Sequence, residues 1–291
     1  MKRLFLTLIG VCTFLGTQAQ SIERQVISSG GNTITNGGVT LDYTIGELAV
    51  TTITDGTTTL TQGFQQATLQ LAIKINPIVF LQGAAVNPNT GEESLMRDDL
   101  RVAATIPTTS PYTDAATTLA TVFNATGANA IVDWVWVELR DKNDANTVLA
   151  SKSALLQRDG DIVTTDGTSD LEFELPEDNY YVMVSHRNHL AIRSVNTVAL
   201  SSTVATLNFS TSSSIAQGGS NAVTDLGNGV FAMLGGDYDE NGQVQNSDVN
   251  AVVVLLGGSG YSLADMDMNG QIQNTDINNV MNANLGKGEQ F

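Results

Sequence analysis

Two stretches of the sequence carry the residue types with the most specific chemistry. Asp237, Asp239 and Asn241 stand at alternate positions, Gly242 and Gln243 follow, and Asp248 closes the span at its twelfth place. The pattern returns as Asp265, Asp267, Asn269, Gly270, Gln271 and Asp276. A calcium ion takes roughly six to eight hard oxygen ligands, so alternate side chains must turn inward while the backbone wraps the ion. Glycine at the sixth place permits the sharp turn, because a Cβ would clash there. Gln243 and Gln271, at the seventh place, are expected to offer main-chain carbonyls. Val244 and Ile272, at the eighth, are expected to pair across the two loops and seal their apolar side. One such stretch could arise by chance in an acidic, turn-rich tail. Two copies that agree at every ligand position predict two Ca2+ ions, one per loop.

A second candidate is Ser185-His186-Arg187-Asn188-His189, which holds both histidines of the chain. Acid–base or metal chemistry there would need carboxylates, and Asp159 and Asp161 are the ones at hand. The competing reading, a strand end whose polar side chains fix a turn, is favoured. No serine or cysteine nucleophile motif, phosphate loop or HExxH string occurs, so the sequence does not read as an enzyme. Trp134 and Trp136 share a face of a regular strand. Exposed, they could stack on a sugar ring; the expectation is that they are core.

Composition sets the surroundings in which these groups act. The chain has 30 Asp plus Glu against 13 Lys plus Arg, a formal net charge of -17. Such a chain does not seek nucleic acid or anionic lipid by electrostatics. Lys2 and Arg3, an apolar run from Leu4 to Leu15, and small residues up to Ala19 form the pattern of a signal peptide cut after Ala19. That run is too short for a permanent membrane span, and no other segment is long enough. The single cysteine, Cys12, lies inside it, so disulfides are excluded from the mature chain. A secreted or extracellular protein is expected, one that depends on its core or on bound metal.

The elements that must hold the loops are mostly strands. Residues 20–66 read as a small β module, with an alternating strand at 39–45 and turn pairs at Asn36-Gly37 and Asp55-Gly56. Residues 67–210 read as a β-sandwich. Ile131–Arg140 is a strand with Val135, Val137 and Leu139 on one face, and 171–175 and 180–184 are expected to form a hairpin. Residues 211–234, rich in Ser, Gly and Asn, read as a linker. Residues 235–291 read as a small helical calcium domain. Its two helices would pack through Val249, Val252, Val253 and Leu256 on one and Ile277, Val280, Met281 and Leu285 on the other.

The paired loops match the EF-hand pattern. Aspartate at the twelfth place, the tandem arrangement and the absence of a long entering helix resemble type I dockerin modules. That resemblance covers residues 235–291 and implies calcium binding and a cohesin partner. Asn246-Ser247 and Asn274-Thr275 occupy the places by which dockerins contact cohesin. The first helix stops early at Gly257-Gly258 and lacks the basic residues many dockerins carry, so the cohesin expectation is the weaker of the two. The strand that ends in Leu175-Pro176 and returns as Tyr180-Tyr-Val-Met-Val184 resembles transthyretin-like or carboxypeptidase-regulatory-like sandwiches. Asp133–Arg140, Leu155–Gly160 and His186–Leu190 resemble a domain of secreted bacterial haemagglutinin-like or adhesin-like proteins. Thr44–Glu47 and Leu60–Phe64 resemble an amino-terminal segment of secreted bacterial proteins of mixed function. Together these imply a non-catalytic adhesion or assembly protein of the cell surface, with a cohesin-like protein or a surface glycan as partner. The alternative is a component that docks onto a cohesin in a polysaccharide-degrading complex.

Overall fold

The computed structural model describes residues 72–227 and 229–291, together with the backbone of four short strands between 31 and 60. The chain divides into two compact units, Met1–Leu69 and Gln70–Phe291. In the first, β1 (Gly31–Asn36) and β2 (Val39–Thr44) pair antiparallel with Asn36 opposite Val39. β3 (Ile53–Thr54) and β4 (Thr59–Leu60) pair antiparallel on either side of residues 55–58. The expected signal peptide, Cys12 included, lies outside the described residues, as does the rest of the 20–66 module.

The second unit is mainly β, a sandwich with a few short helices. It opens with β5 (Ile73–Ile78), whose alternate residues Ile73 and Ile75 are fully buried. β6 (Ile131–Asp141) shows the expected alternation, with Val135, Val137 and Leu139 buried and Trp136, Glu138 and Arg140 half-buried. There follow β7 (Val148–Gln157), β8 (Ile162–Val163), β9 (Leu171–Phe173), β10 (Asp178–His186), β11 (His189–Arg193), β12 (Val198–Leu200) and β13 (Ala205–Asn208). The larger sheet runs β11-β10-β6-β7-β8 with β12 also on β10, and the smaller runs β13-β5-β9. One core joins them, with Ile73, Ile75, Leu171 and Phe173 from the smaller sheet and Val135, Val137, Val182 and Val184 from the larger. Burial of each such side chain stabilises the fold by roughly 1.5–3 kcal/mol.

Three expectations are corrected. The hairpin of 171–175 with 180–184 does not form. β9 pairs with β5, and β10 pairs with β6, β11 and β12, so the chain crosses between sheets at this point. Leu171 and Phe173 both face the core and are satisfied only in the smaller sheet, while the Tyr180 hydroxyl donates to Pro176 O at 2.6 Å and pins the corner.

Residues 211–234 are not a linker. β14 (Val223–Asp225) and β15 (Phe231–Met233) pair there, Met233 N bonds Phe80 O at 2.7 Å, and Ala216, Ala222, Val223, Ala232 and Met233 enter the main core. Composition misleads here because the few apolar residues are spaced to face inward while Ser and Gly make the turns.

Nor is 235–291 a domain apart. It belongs to the same compact unit, and its second helix packs on the short helix Gln82–Ala85 of the sandwich. Among the described residues no helix is long and apolar enough to cross a membrane.

Candidate metal centre

Each loop brings three carboxylates together. Oxygens of Asp237, Asp239 and Asp248 lie within 4.8 Å of one another, and so do those of Asp265, Asp267 and Asp276. The local backbone explains the convergence. Asp237 accepts from the amides of Asn241 at 3.1 Å and Gly242 at 2.9 Å; Asp265 accepts from Asn269 at 3.0 Å and Gly270 at 2.8 Å. Asp248 reaches back to the amides of Tyr238 at 3.0 Å and Gln245 at 2.8 Å, and Asp276 to those of Asp267 at 2.9 Å and Gln273 at 2.7 Å. The twelfth-place aspartate therefore closes the loop and also caps the helix that follows. Gly242 and Gly270 have φ of 78° and 84°, the left-handed backbone that glycine adopts without the clash a Cβ would bring.

Asn241 and Asn269 accept from the amides of Gln243 at 3.0 Å and Gln271 at 2.8 Å, which leaves each asparagine oxygen inside its loop. The side chains of Gln243 and Gln271 bond Gln245 and Gln273 at the surface, so the main-chain carbonyl is the atom these residues can offer an ion. Burial pushes the Asp237 carboxyl up to about 6 and the Asp265 carboxyl up to about 7, and the neighbouring aspartates add to both shifts. Carboxylates crowded in this way repel each other, and a hard divalent cation relieves the repulsion. An all-oxygen, acidic, largely buried donor set fits calcium. A bound ion would favour the ionised forms of Asp237 and Asp265, whose pKa values burial has raised.

The eighth-place residues do not pair with each other, contrary to expectation. Val244 exchanges backbone hydrogen bonds with Gly286 and Lys287, and Ile272 with Gly257 and Gly258, all at 2.9 Å. Each loop is thus closed by the turn that follows the other hand's helix. Val244 packs with Leu190 and Leu234, whereas Ile272 packs with Val252, Met266 and Val280. The two hands are interlocked by reciprocal exchange, which brings the helix ends, not the loops, face to face with each loop.

The helical stripes also depart from expectation. The first-hand helix, Asn246–Val254, buries Val252 and half-buries Val249, but Val253 and Leu256 are exposed. The second-hand helix, Asp276–Met281 continued by Asn282–Asn284, buries Ile277, Val280 and Met281, while Leu285 is exposed. Leu256 and Leu285 each lie past the end of their own helix, so neither continues its apolar face.

The histidine string proves to be the joint between sandwich and hands. His186, Arg187, Asn188 and His189 are all buried. The carboxylate beside them is Asp133, fully buried in β6; Asp159 and Asp161 instead stay in the β7–β8 turn, where the Asp161 amide bonds Asp159 at 3.3 Å. Asp133 accepts from Arg187 Nε at 2.9 Å, from the Tyr261 hydroxyl at 2.7 Å and from His186 Nε2 at 3.1 Å. Gly83 N donates to His189 Nε2 at 3.1 Å, so the His189 proton sits on Nδ1, from which it reaches Asn188 Oδ1 at 2.8 Å and His186 Nδ1 at 3.0 Å. Both rings are neutral in this arrangement. Burial lowers both pKa values, that of His189 far below its ordinary range. Burial by itself would raise the Asp133 carboxyl, but Arg187 and His186 hold it well below the carboxylate range.

From this cluster, and separately from Arg97, side chains reach the second loop. Asn188 Nδ2 donates to Leu263 O at 3.1 Å and Asp265 O at 2.9 Å, Arg187 donates to Ser262 O, and Arg97 donates to Asp267 O. Sequence reasoning missed Asp133, Arg97 and Tyr261. A charged residue inside the apolar start of β6 was the available signal for Asp133; Arg97 and Tyr261 carried none.

Trp134 is core, with its indole N–H on Pro107 O at 2.8 Å. Trp136 is half-buried, bonds Glu138 at 3.0 Å and lies against Tyr112 at 5.7 Å between ring centroids. The segment around Pro107 and Tyr112 covers the face on which a sugar would have stacked.

No known family model matches this sequence, and no curated protein does. Among solved structures, the chain is similar to an N-terminal interface mutant of a type II cohesin–X–dockerin complex from Acetivibrio cellulolyticus. The identity is 13%, the TM-score 0.36, and the match covers 75% of this chain and 96% of that one. A C-terminal interface mutant of the same kind of complex gives 14% identity, a TM-score of 0.37 and coverage of 74% and 97%. Likenesses of this degree carry no argument for function; the geometry of the two loops does.

Proposed function

We propose that this protein is an extracellular, calcium-binding, non-catalytic assembly or adhesion module, in which two calcium ions brace the paired hands against a β-sandwich. The observation that carries the reading is the duplicated triad, Asp237, Asp239 and Asp248 matched by Asp265, Asp267 and Asp276, each within 4.8 Å. The signal-peptide pattern at residues 1–19 supports export. Because sandwich and hands share one compact unit, the ions would stiffen the whole of residues 70–291. Calorimetric titration of the mature chain with calcium is expected to show two bound ions, at about 10⁻⁴ to 10⁻³ M or tighter. Ion binding should raise the melting temperature of the sandwich along with that of the hands. Absence of heat and of any thermal shift at millimolar calcium would remove the reading.

A specific observation favours a protein partner over a glycan. Val253, Val254, Leu255 and Leu256 form a continuous exposed apolar run in the first hand, and Asn246 and Ser247 are exposed on the same helix. Such a patch suits docking onto another protein, a cohesin-like one in the second reading, where the chain joins a polysaccharide-degrading complex. A pull-down from the native cell envelope with and without chelator, repeated with Val254→Asp, separates the two. Capture of a cohesin that needs both calcium and Val254 would support the docking reading.

A further inference from the structure

The two loops share their ligands but not their supports. In the second, the carbonyl oxygens of Ser262, Leu263, Asp265 and Asp267 are each held by a side chain of the sandwich, from Arg187, Asn188 and Arg97. Arg97 is itself anchored on Gly83 O at 3.2 Å and Val86 O at 3.2 Å. Gly83 lies so close to the loop that a Cβ would come within 1.9 Å of Met266 O. Asp265, Asp267 and Asp276 are all buried, as are Met266 and Met268 between them. In the first loop Asp239 and Glu240 are exposed, and among the described residues no sandwich side chain bonds the backbone of residues 237–243. Its outside supports are the amide of Glu289, which bonds Gly242 O, and the exchange of Val244 with Gly286 and Lys287, all at 2.9 Å, with contacts to Gly235 and Gly236 just ahead of it.

We infer that Arg187, Asn188 and Arg97 are positioning residues that pre-form the second loop, so that calcium fills Asp265–Asp276 first and tightly and Asp237–Asp248 second and more weakly. The inference rests on the calcium reading above. A loop already held in its binding conformation loses less chain entropy when the ion arrives. Charge alone argues the other way, because Glu240 adds a fourth carboxylate to the first loop where the second has Met268. Glu240 is exposed, however, and solvent, salt and the facing Arg187 damp its charge, whereas Arg187 and Asn188 are buried and Arg97 is half-buried. The two cations near the second loop are also offset, Arg187 by Asp133 and Arg97 by Asp99. Rigidity therefore outweighs charge, by roughly tenfold in affinity if one residue's ordering is spared.

The test uses calcium calorimetry on the full mature chain. Asp237→Asn should keep the tighter step and Asp265→Asn the weaker one, with dissociation constants about tenfold apart. Arg97→Ala and Asn188→Ala, each in an otherwise intact chain, should weaken only the tighter step, by a similar factor, and leave the other unchanged. Near-ultraviolet circular dichroism at saturating calcium checks that each variant is folded, and Arg97→Ala, the less buried site, serves if Asn188→Ala is not. Equal steps, or a tighter step that resides in the first loop and weakens in Glu240→Gln, would overturn the inference while leaving calcium binding intact. Absence of binding at both loops would overturn the inference and the calcium reading together.

Discussion

In the second hand Ile277, Val280 and Met281 are buried against Val252, Met266 and the short helix Gln82–Ala85, while in the first hand Val253, Val254, Leu255 and Leu256 face solvent. The repeats are closely alike in sequence, and their acidic residues occupy equivalent places. The difference comes from a third party. The sandwich covers one hand, and nothing in the described unit covers the end of the other's helix. A repeat that would be symmetric in isolation becomes one half foundation and one half exposed face.

The largest test of this asymmetry is Met281→Ala, which empties a fully buried site where hand and sandwich meet. It should cost about 2–5 kcal/mol in denaturant unfolding and should destabilise the whole unit in one transition. Two separate transitions would mean that the hands fold independently of the sandwich. Next comes Gly83→Ala, whose Cβ would collide with the backbone of the second loop at Met266 O. The expected loss is about 1–3 kcal/mol, accompanied by weaker calcium binding in the second loop only.

A pH series sharpens the comparison without mutation. In the calcium-free protein the folded pKa values of Asp237 and Asp265 are raised to about 6 and about 7. A raised carboxyl contributes stability that is complete below its unfolded value and is lost as pH rises through the folded value. Chelated protein should therefore lose this contribution between about pH 4 and 7. Calcium-loaded protein should not, so the gap between the two widens with pH. His186 and His189, with lowered pKa values, act in the opposite sense, since their contribution is lost as pH falls below the ordinary histidine range. They do so with and without calcium, which is why the difference between the two curves isolates the carboxylates. A gap that stays constant from pH 4 to 8 would contradict the assignment of ligands. The smallest effect expected is that of Val254→Ser, at a residue 83% exposed, within about 0.5 kcal/mol of the parent protein.

The loops were legible residue by residue because their geometry is local. Asp237 bonds amides four and five residues away, and Asp248 reaches back to a loop it closes. Twelve residues contain nearly all the forces that shape such a turn. The strand at 131–141 was legible for a similar reason, since Val135, Val137 and Leu139 declare one face by alternation alone. The histidine string was legible only as polar residues at a strand end. That its partner is Asp133, and that Asn188 and Arg187 reach carbonyls some 75 residues onward, follows from packing that has no local trace.

Sequence by itself determined the duplicated acidic loops, their glycines, the alternating strands and the surplus of carboxylates, because each depends on neighbours along the chain. Tertiary structure decided which strand pairs with β9, whether 211–234 is slack or woven into the core, and which hand is covered. Those outcomes depend on competition among apolar faces for one core, which is settled only when distant segments meet. The sandwich residues Arg97, Arg187 and Asn188 belong to this second class. Their role beside the second loop exists because β10, β11 and the segment after Ala85 fold against residues 262–267, and no spacing within any of these segments announces it.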